Sequence, residues 1–226
     1  MLKQRIKFII GSHFWLFKFF SFFLDRKFRF VDSETDIVLE GFPRSANTFS
    51  YVALKNIAPK LKIAHHLHLP VQIISGVKQK KPVVILIRRP KDAIISLLLR
   101  NSKININDAI KHYEVFYKIA LKYKDKIIIA EFNNVIKDFN IIIKKINKKS
   151  NLKLPKFDNS SENLKRCIEI VENMDKEDTR LDDINHYTVA LPTPTKKKAK
   201  IELLKKYNGF EVNLHYANTL YEKLIQ

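Results

Sequence analysis

Two short runs in this chain combine cationic and hydroxyl side chains directly after an apolar stretch. The first is Gly41-Phe42-Pro43-Arg44-Ser45-Ala46-Asn47-Thr48-Phe49, which follows Asp36-Ile37-Val38-Leu39-Glu40. A strand that ends in such a turn and passes into a helix exposes backbone N–H groups at the helix N-terminus, where the helix dipole also favours an anion. Arg44, Ser45 and Thr48 add side-chain donors to the same turn.

The second run, Arg88-Arg89-Pro90-Lys91-Asp92-Ala93-Ile94-Ile95-Ser96, follows the apolar stretch Val83-Val84-Ile85-Leu86-Ile87. Arg88 stands where a guanidinium can take a phosphate through two parallel bonds. Ser96 lies eight residues further on, inside the next expected helix, and can add a hydroxyl if that helix folds back beside the strand. An ion pair at Arg88 and a serine bonded to its own helix are the plainer readings. A nucleoside-triphosphate loop, G-x-x-x-x-G-K-[ST], places a lysine against the β- and γ-phosphates. Here Gly41 fits its first position, but Ala46 falls on the second glycine, Asn47 on the lysine and Thr48 on the hydroxyl. The second apolar stretch ends in arginines and not in the aspartate that helps to hold Mg²⁺. The pattern suits phosphate without a triphosphate and its metal.

Three of the seven histidines fall in Ala64-His65-His66-Leu67-His68-Leu69-Pro70. A neutral imidazole is well poised to accept a proton near pH 7. Continued strand alternation would put His66 and His68 on one face and His65 on the other. A packed histidine cluster is the plainer reading, and no carboxylate stands at metal-ligand spacing beside it.

These groups need a scaffold. Residues 36–40, 62–64, Val83–Ile87 and 126–130 read as strands. Residues 47–56, Pro70–Lys78, a helix opened by Pro90, 107–123, 134–148, 162–173 and 198–207 read as helices. Pro70 and Pro90 suit first helical turns, and Asp92 complements the positive end of its helix. Residues 182–195 read as a loop containing Leu191-Pro192-Thr193-Pro194-Thr195. Strands alternating with helices predict an α/β, three-layer architecture: a mainly parallel sheet with helices on both faces. Ligands gather beyond the carboxyl ends of such strands.

The two runs together resemble the cytosolic-type, PAPS-dependent sulfotransferases, whose fold is P-loop NTPase-like and whose co-substrate is 3′-phosphoadenosine 5′-phosphosulfate (PAPS). Their first loop reads P-K-S-G-T-T-W, against Pro43-Arg44-Ser45-Ala46-Asn47-Thr48-Phe49. Their second reads R-[ND]-x-[KR]-D-x-x-x-S, against Arg88-Arg89-Pro90-Lys91-Asp92-Ala93-Ile94-Ile95-Ser96. The clear match covers about 36–99, with weaker support to about 138. The resemblance implies that Arg44, Ser45, Ala46, Asn47 and Thr48 hold the 5′-phosphosulfate, and that Phe49 stacks on adenine. Arg88 and Ser96 would grip the 3′-phosphate. The family's catalytic histidine lies 22 residues before the second-motif arginine, which falls on His66 here, with His68 in reserve. His66 would be the base and Arg44 the electrostatic partner of the departing phosphate, with no metal involved.

The chain departs from the family in three places. Arg44 stands for the catalytic lysine, and an arginine keeps its charge. Ala46 stands for a glycine. The family's R-K-G triplet is absent, and Lys196, Lys197 and Lys198 are the candidate substitute.

The 226 residues suit one compact domain, and 46% hydrophobic content supports a sizeable core. A net charge of +19 implies an anionic partner without choosing one, since much of the lysine suits a solvated helix face. The single Cys167 excludes an internal disulfide and fits a reducing, cytoplasmic compartment. Residues 1–30 carry Phe8, Phe14, Trp15, Phe17, Phe19, Phe20, Phe22 and Phe23 among lysines and arginines. The apolar run is broken at Lys18, short of the ~20 residues that a spanning helix needs, and shows no A-x-A-like cleavage site. The reading is an aromatic, basic helix lying on a membrane surface, ahead of a sulfotransferase domain at 31–226. A core-covering helix and a true anchor stand as alternatives. The acceptor expected is a hydroxyl or amine, with a cell-surface glycan or glycolipid as the candidate, and nucleic acid is not an expected partner. The rival functions are a P-loop kinase or nucleotide hydrolase, and a non-catalytic basic module for nucleic acid or membranes.

Overall fold

The computed structural model describes residues 30–179 and 194–226. Nearly all of the 1–30 segment, most of the expected loop at 182–195, and the side chains of Lys196 and Lys197 lie outside the described residues.

The described chain begins on strand β1 (Ile37–Gly41), helix α1 (Asn47–Ile57), strand β2 (Ile63–His65), helix α2 (Pro70–Lys78) and strand β3 (Val83–Ile87). It continues through α3 (Pro90–Arg100), α4 (Ile106–Lys122), β4 (Ile128–Glu131), α5 (Phe132–Lys137) and α6 (Asn140–Lys149). The later helices are α7 (Ser161–Thr179), α8 (Pro194–Lys206) and α9 (His215–Ile225).

The four strands run parallel in the order β2-β1-β3-β4. Every residue of β1 and β3 is buried, as continuous apolar strands covered on both faces should be. The period of two divides them cleanly. Val38, Val83, Ile85 and Ile87 pack with α3, α4 and α9 through Ile94, Phe116 and Leu220. Ile37, Leu39, Val84 and Leu86 pack with α1, α6 and α7 through Leu54, Ile142 and Cys167. The result is the expected three-layer α/β architecture.

After β1 the chain moves outward to β2, then returns across β1 to form β3. The gap between the carboxyl ends of β1 and β3 is therefore the topological switch point, where the loops diverge and leave room for a ligand. Both candidate anion-binding turns emerge there.

The expected single helix over 134–148 is two helices, α5 and α6. Asp138 adopts extended backbone between them, and its carboxylate accepts from Asn140 N at 3.0 Å and Asn159 Nδ2 at 2.8 Å. Phe139 uses the break to bury its ring beside Phe49 and Phe157. Helix α8 starts at Pro194, so Pro194 and Thr195 form a first turn and not the end of a loop. Helix α9 was not expected, although Leu214, Ala217, Leu220, Tyr221 and Leu224 carry the helical spacing that buries it.

Candidate active site

The first loop is held against the central strands from its first residue. A Cβ at Gly41 would meet Leu86 O at 2.5 Å and Asn47 Oδ1 at 3.0 Å, so only glycine lets β1 and the turn approach β3 this closely. Phe42 is fully buried, edge-on to His112 and Tyr113, and its N–H donates to the Tyr117 hydroxyl at 3.2 Å. Tyr117 in turn donates to Leu86 O at 2.8 Å. Asn47 Nδ2 donates to Phe42 O at 3.0 Å, closing the turn on itself.

Within that frame Arg44 and Ala46 both take φ 68°, the left-handed region. The turn accepts a Cβ at Ala46 at a cost of about 1–2 kcal/mol. Helix α1 then starts with no side-chain cap and no acidic residue in its first turn. Ser45 Oγ and Asn47 Oδ1 are buried, and no hydrogen bond of good geometry reaches either; the Tyr117 hydroxyl is the polar neighbour of Ser45. A strained turn and an uncapped helix start suit an anion that is held by donors.

The second loop meets the first. Arg88 donates from a terminal guanidinium nitrogen to Arg44 O at 3.0 Å, and Arg44 Nε donates to Ser96 Oγ at 3.2 Å. Ser96 therefore folds back beside the strand, and hydrogen bonds join Arg44, Arg88 and Ser96 into one group. The Arg88 guanidinium lies 4.1 Å over the Phe132 ring, and its carbonyl accepts from the Tyr113 hydroxyl at 2.7 Å. Burial pushes Arg88 below the usual arginine range, with Asp92 pulling the other way. A half-buried cation of this kind gains from an anionic partner. A cavity of about 350 Å³ opens beside it, lined by Arg88, Arg89, Asp92, Glu131, Phe132 and Tyr221 among others.

The histidine turn closes the other side. Strand β2 ends at His65, and His66 and His68 take φ 59° and 56°. The expected strand alternation does not extend through these residues, because the chain has already left the sheet. His66 Nε2 is 3.1 Å from Thr48 Oγ1 in the first loop, and its Nδ1 is hydrogen-bonded to His65 Nδ1. Tyr51 stacks on the His65 ring with centroids 4.0 Å apart. His68 Nδ1 lies 2.7 Å from Gly41 O. A carbonyl can only accept, so Nδ1 carries the proton and the lone pair stays on Nε2.

The remaining expected residues sit further out. Phe49 is half-buried, with its ring edge-on to Phe139 at 6.0 Å and Phe157 at 6.3 Å, forming part of the α1 core wall. Lys198 is exposed on α8. The lysine of α8 that reaches the second loop is Lys200, bonded to Asp92 at 2.7 Å. Glu40, Gln72, Tyr113, Tyr117 and Phe132 were missed because each reads from sequence as an ordinary strand-end or helix-core residue. Only the placement of Tyr113 and Tyr117 on one face of α4, four residues apart, hinted at polar tips reaching a loop.

No family model matches the chain, and no curated protein matches it. Among solved structures it is similar to mouse sulfotransferase SULT7A1 complexed with PAP, at 15% identity and a TM-score of 0.48, over 85% of this chain and 90% of that one.

Proposed function

We propose that the chain is a sulfotransferase that moves a sulfuryl group from PAPS to a hydroxyl or amine acceptor. The observation that carries this reading is the pair of bonds joining the loops: Arg88 to Arg44 O, and Arg44 Nε to Ser96 Oγ. Two anion-binding turns at one switch point suit a ligand with phosphate at both ends. The Asn47 side chain faces Phe42 O, and no lysine stands at its position, which argues against a nucleoside triphosphate.

The left-handed turn at Arg44 and Ala46 and the uncapped start of α1 fit the co-substrate. Arg44, Ser45, Thr48 and the loop N–H groups would hold its 5′ end, and Arg88 and Ser96 its 3′-phosphate. PAPS supplies an activated sulfuryl group on a good leaving phosphate. The acceptor oxygen or nitrogen bonds to sulfur as the sulfur–oxygen bond to phosphate breaks. Arg44 and the loop N–H groups stabilise the charge left on that phosphate, at about 3–4 kcal/mol for a well-placed donor. The acceptor's proton passes to the histidine turn.

His66 is the first candidate for the base, by its place in the sequence and by its contact with Thr48. His68 is favoured by its tautomer, since donation from Nδ1 leaves Nε2 to take a proton. Alanine variants separate them. Loss of the base lowers kcat by about 10²–10⁴-fold while the KM for PAPS stays near wild type. Arg44→Ala lowers kcat by a comparable factor. Unchanged turnover in Arg44→Ala, or in both His66→Ala and His68→Ala, overturns these roles. The expected acceptor is a glycan or glycolipid hydroxyl, for which the basic surface provides attraction.

A further inference from the structure

Glu40 is the penultimate residue of β1, and its side chain is fully buried. Its two carboxylate oxygens are divided between successive backbone donors of the histidine turn. Leu67 N donates to Oε1 at 2.8 Å and His68 N donates to Oε2 at 2.9 Å. Successive N–H groups beside left-handed residues form a concave donor pair, and here the acceptor belongs to the chain itself. Gly41, the next residue, accepts from His68 Nδ1. A two-residue step of β1 thus fixes His68 at its backbone and at its ring.

The clamp continues outward. Gln72 Nε2 donates to Glu40 Oε1 at 3.4 Å, and Gln72 Oε1 accepts from Val31 N at 3.1 Å. His112 Nε2 donates to His68 O at 2.9 Å, securing the turn from α4. Burying a carboxylate among apolar residues is expensive, and desolvation pushes Glu40 up to about 7 against the pull of these bonds. A fold that needed only a strand-end residue here would be better served by an apolar side chain.

We infer that Glu40 is a positioning residue for the proposed transfer, holding the left-handed His66-Leu67-His68 turn so that its imidazoles face the first loop. The inference rests on the sulfotransferase reading for its catalytic consequence, but the clamp itself can be observed without turnover. Left-handed φ at His66 and His68 is strained, and the Glu40 carboxyl group supplies the bonds that offset it. Without the clamp the turn relaxes and the base drifts from the line of proton transfer.

The test uses the full chain, with Glu40→Gln as the isosteric variant and Glu40→Asp as the shorter one that keeps the charge. In the wild type, amide hydrogen exchange at Leu67 and His68 should be slow, as for core strands. Exchange there as fast as in an open loop overturns the clamp without recourse to any variant. In Glu40→Gln, which offers one acceptor oxygen in place of two, exchange at one or both amides should accelerate and the His68 ring resonances should shift. The kcat should fall about 10²-fold, the cost of a misplacement near 1 Å. The KM for PAPS and the affinity for 3′,5′-adenosine bisphosphate should stay within about threefold, because the donors of the first loop are untouched. Glu40→Asp should lose the clamp as well, since the charge without the reach does not span both amides. Wild-type kcat in Glu40→Gln, or a loss confined to KM, overturns the positioning role. If the wild type transfers no sulfuryl group at all, the functional reading fails, while the exchange data still decide whether Glu40 holds the turn.

Discussion

At the scale of single residues, Glu40 makes the molecule's pH dependence legible. Its folded-state value is raised from about 4.5 to about 7, chiefly by burial. The folded protein therefore binds this proton more tightly than the unfolded chain does. That contribution to stability is fully present below about pH 4.5 and is lost as pH rises through about 7. Each pKa unit corresponds to about 1.4 kcal/mol. Urea denaturation at pH 5 and pH 8 should show wild type losing a few kcal/mol relative to Glu40→Gln between the two. Parallel pH profiles would mean that the carboxyl titrates as an ordinary one. The meeting of Arg44, Arg88 and Ser96 was legible because cationic and hydroxyl side chains at this spacing follow two buried strands. Glu40 was not, since an acid closing Asp36-Ile37-Val38-Leu39-Glu40 reads as the solvated end of a strand. Only the return of residues 67 and 68 from β2 turns it inward.

At the scale of elements, the site depends on how closely β1 approaches β3. Val38, Leu39, Glu40 and Gly41 pair with Val83, Val84, Ile85 and Leu86. A methyl group at Gly41 would collide with Leu86 O and Leu86 Cβ, both fixed within a central strand. Gly41→Ala should destabilise the protein by about 1–3 kcal/mol, the usual range for overpacking. It should also weaken binding of the bisphosphate, because the loop origin moves with the strand. A denaturation midpoint and an affinity both equal to wild type would show that the strands yield without cost. The strands and most helices could be read from apolar period and proline placement, with β4 shifted by a residue or two. The break between α5 and α6 could not, because Asp138 and Phe139 fit a helical pattern locally. Their preference is decided by Asn159, Phe49 and Phe157, which lie far off in sequence or on other elements.

At the scale of the whole molecule, strand–helix alternation announces a parallel sheet but not its order. The order β2-β1-β3-β4 comes from which apolar faces cover one another, and it is this order that brings residues 44 and 88 together. The net charge of +19 is spread over a chain whose described helices include none long and apolar enough to cross a membrane. The charge favours encounter with any anion; the paired loops are what would discriminate among them. Calorimetry on the full chain with 3′,5′-adenosine bisphosphate, 5′-AMP and ATP measures that discrimination. The bisphosphate should bind at least about tenfold tighter than either competitor, a difference of about 1.4 kcal/mol, with the preference lost in Arg88→Ala. Equal affinities for all three, or a preference for ATP, would contradict it.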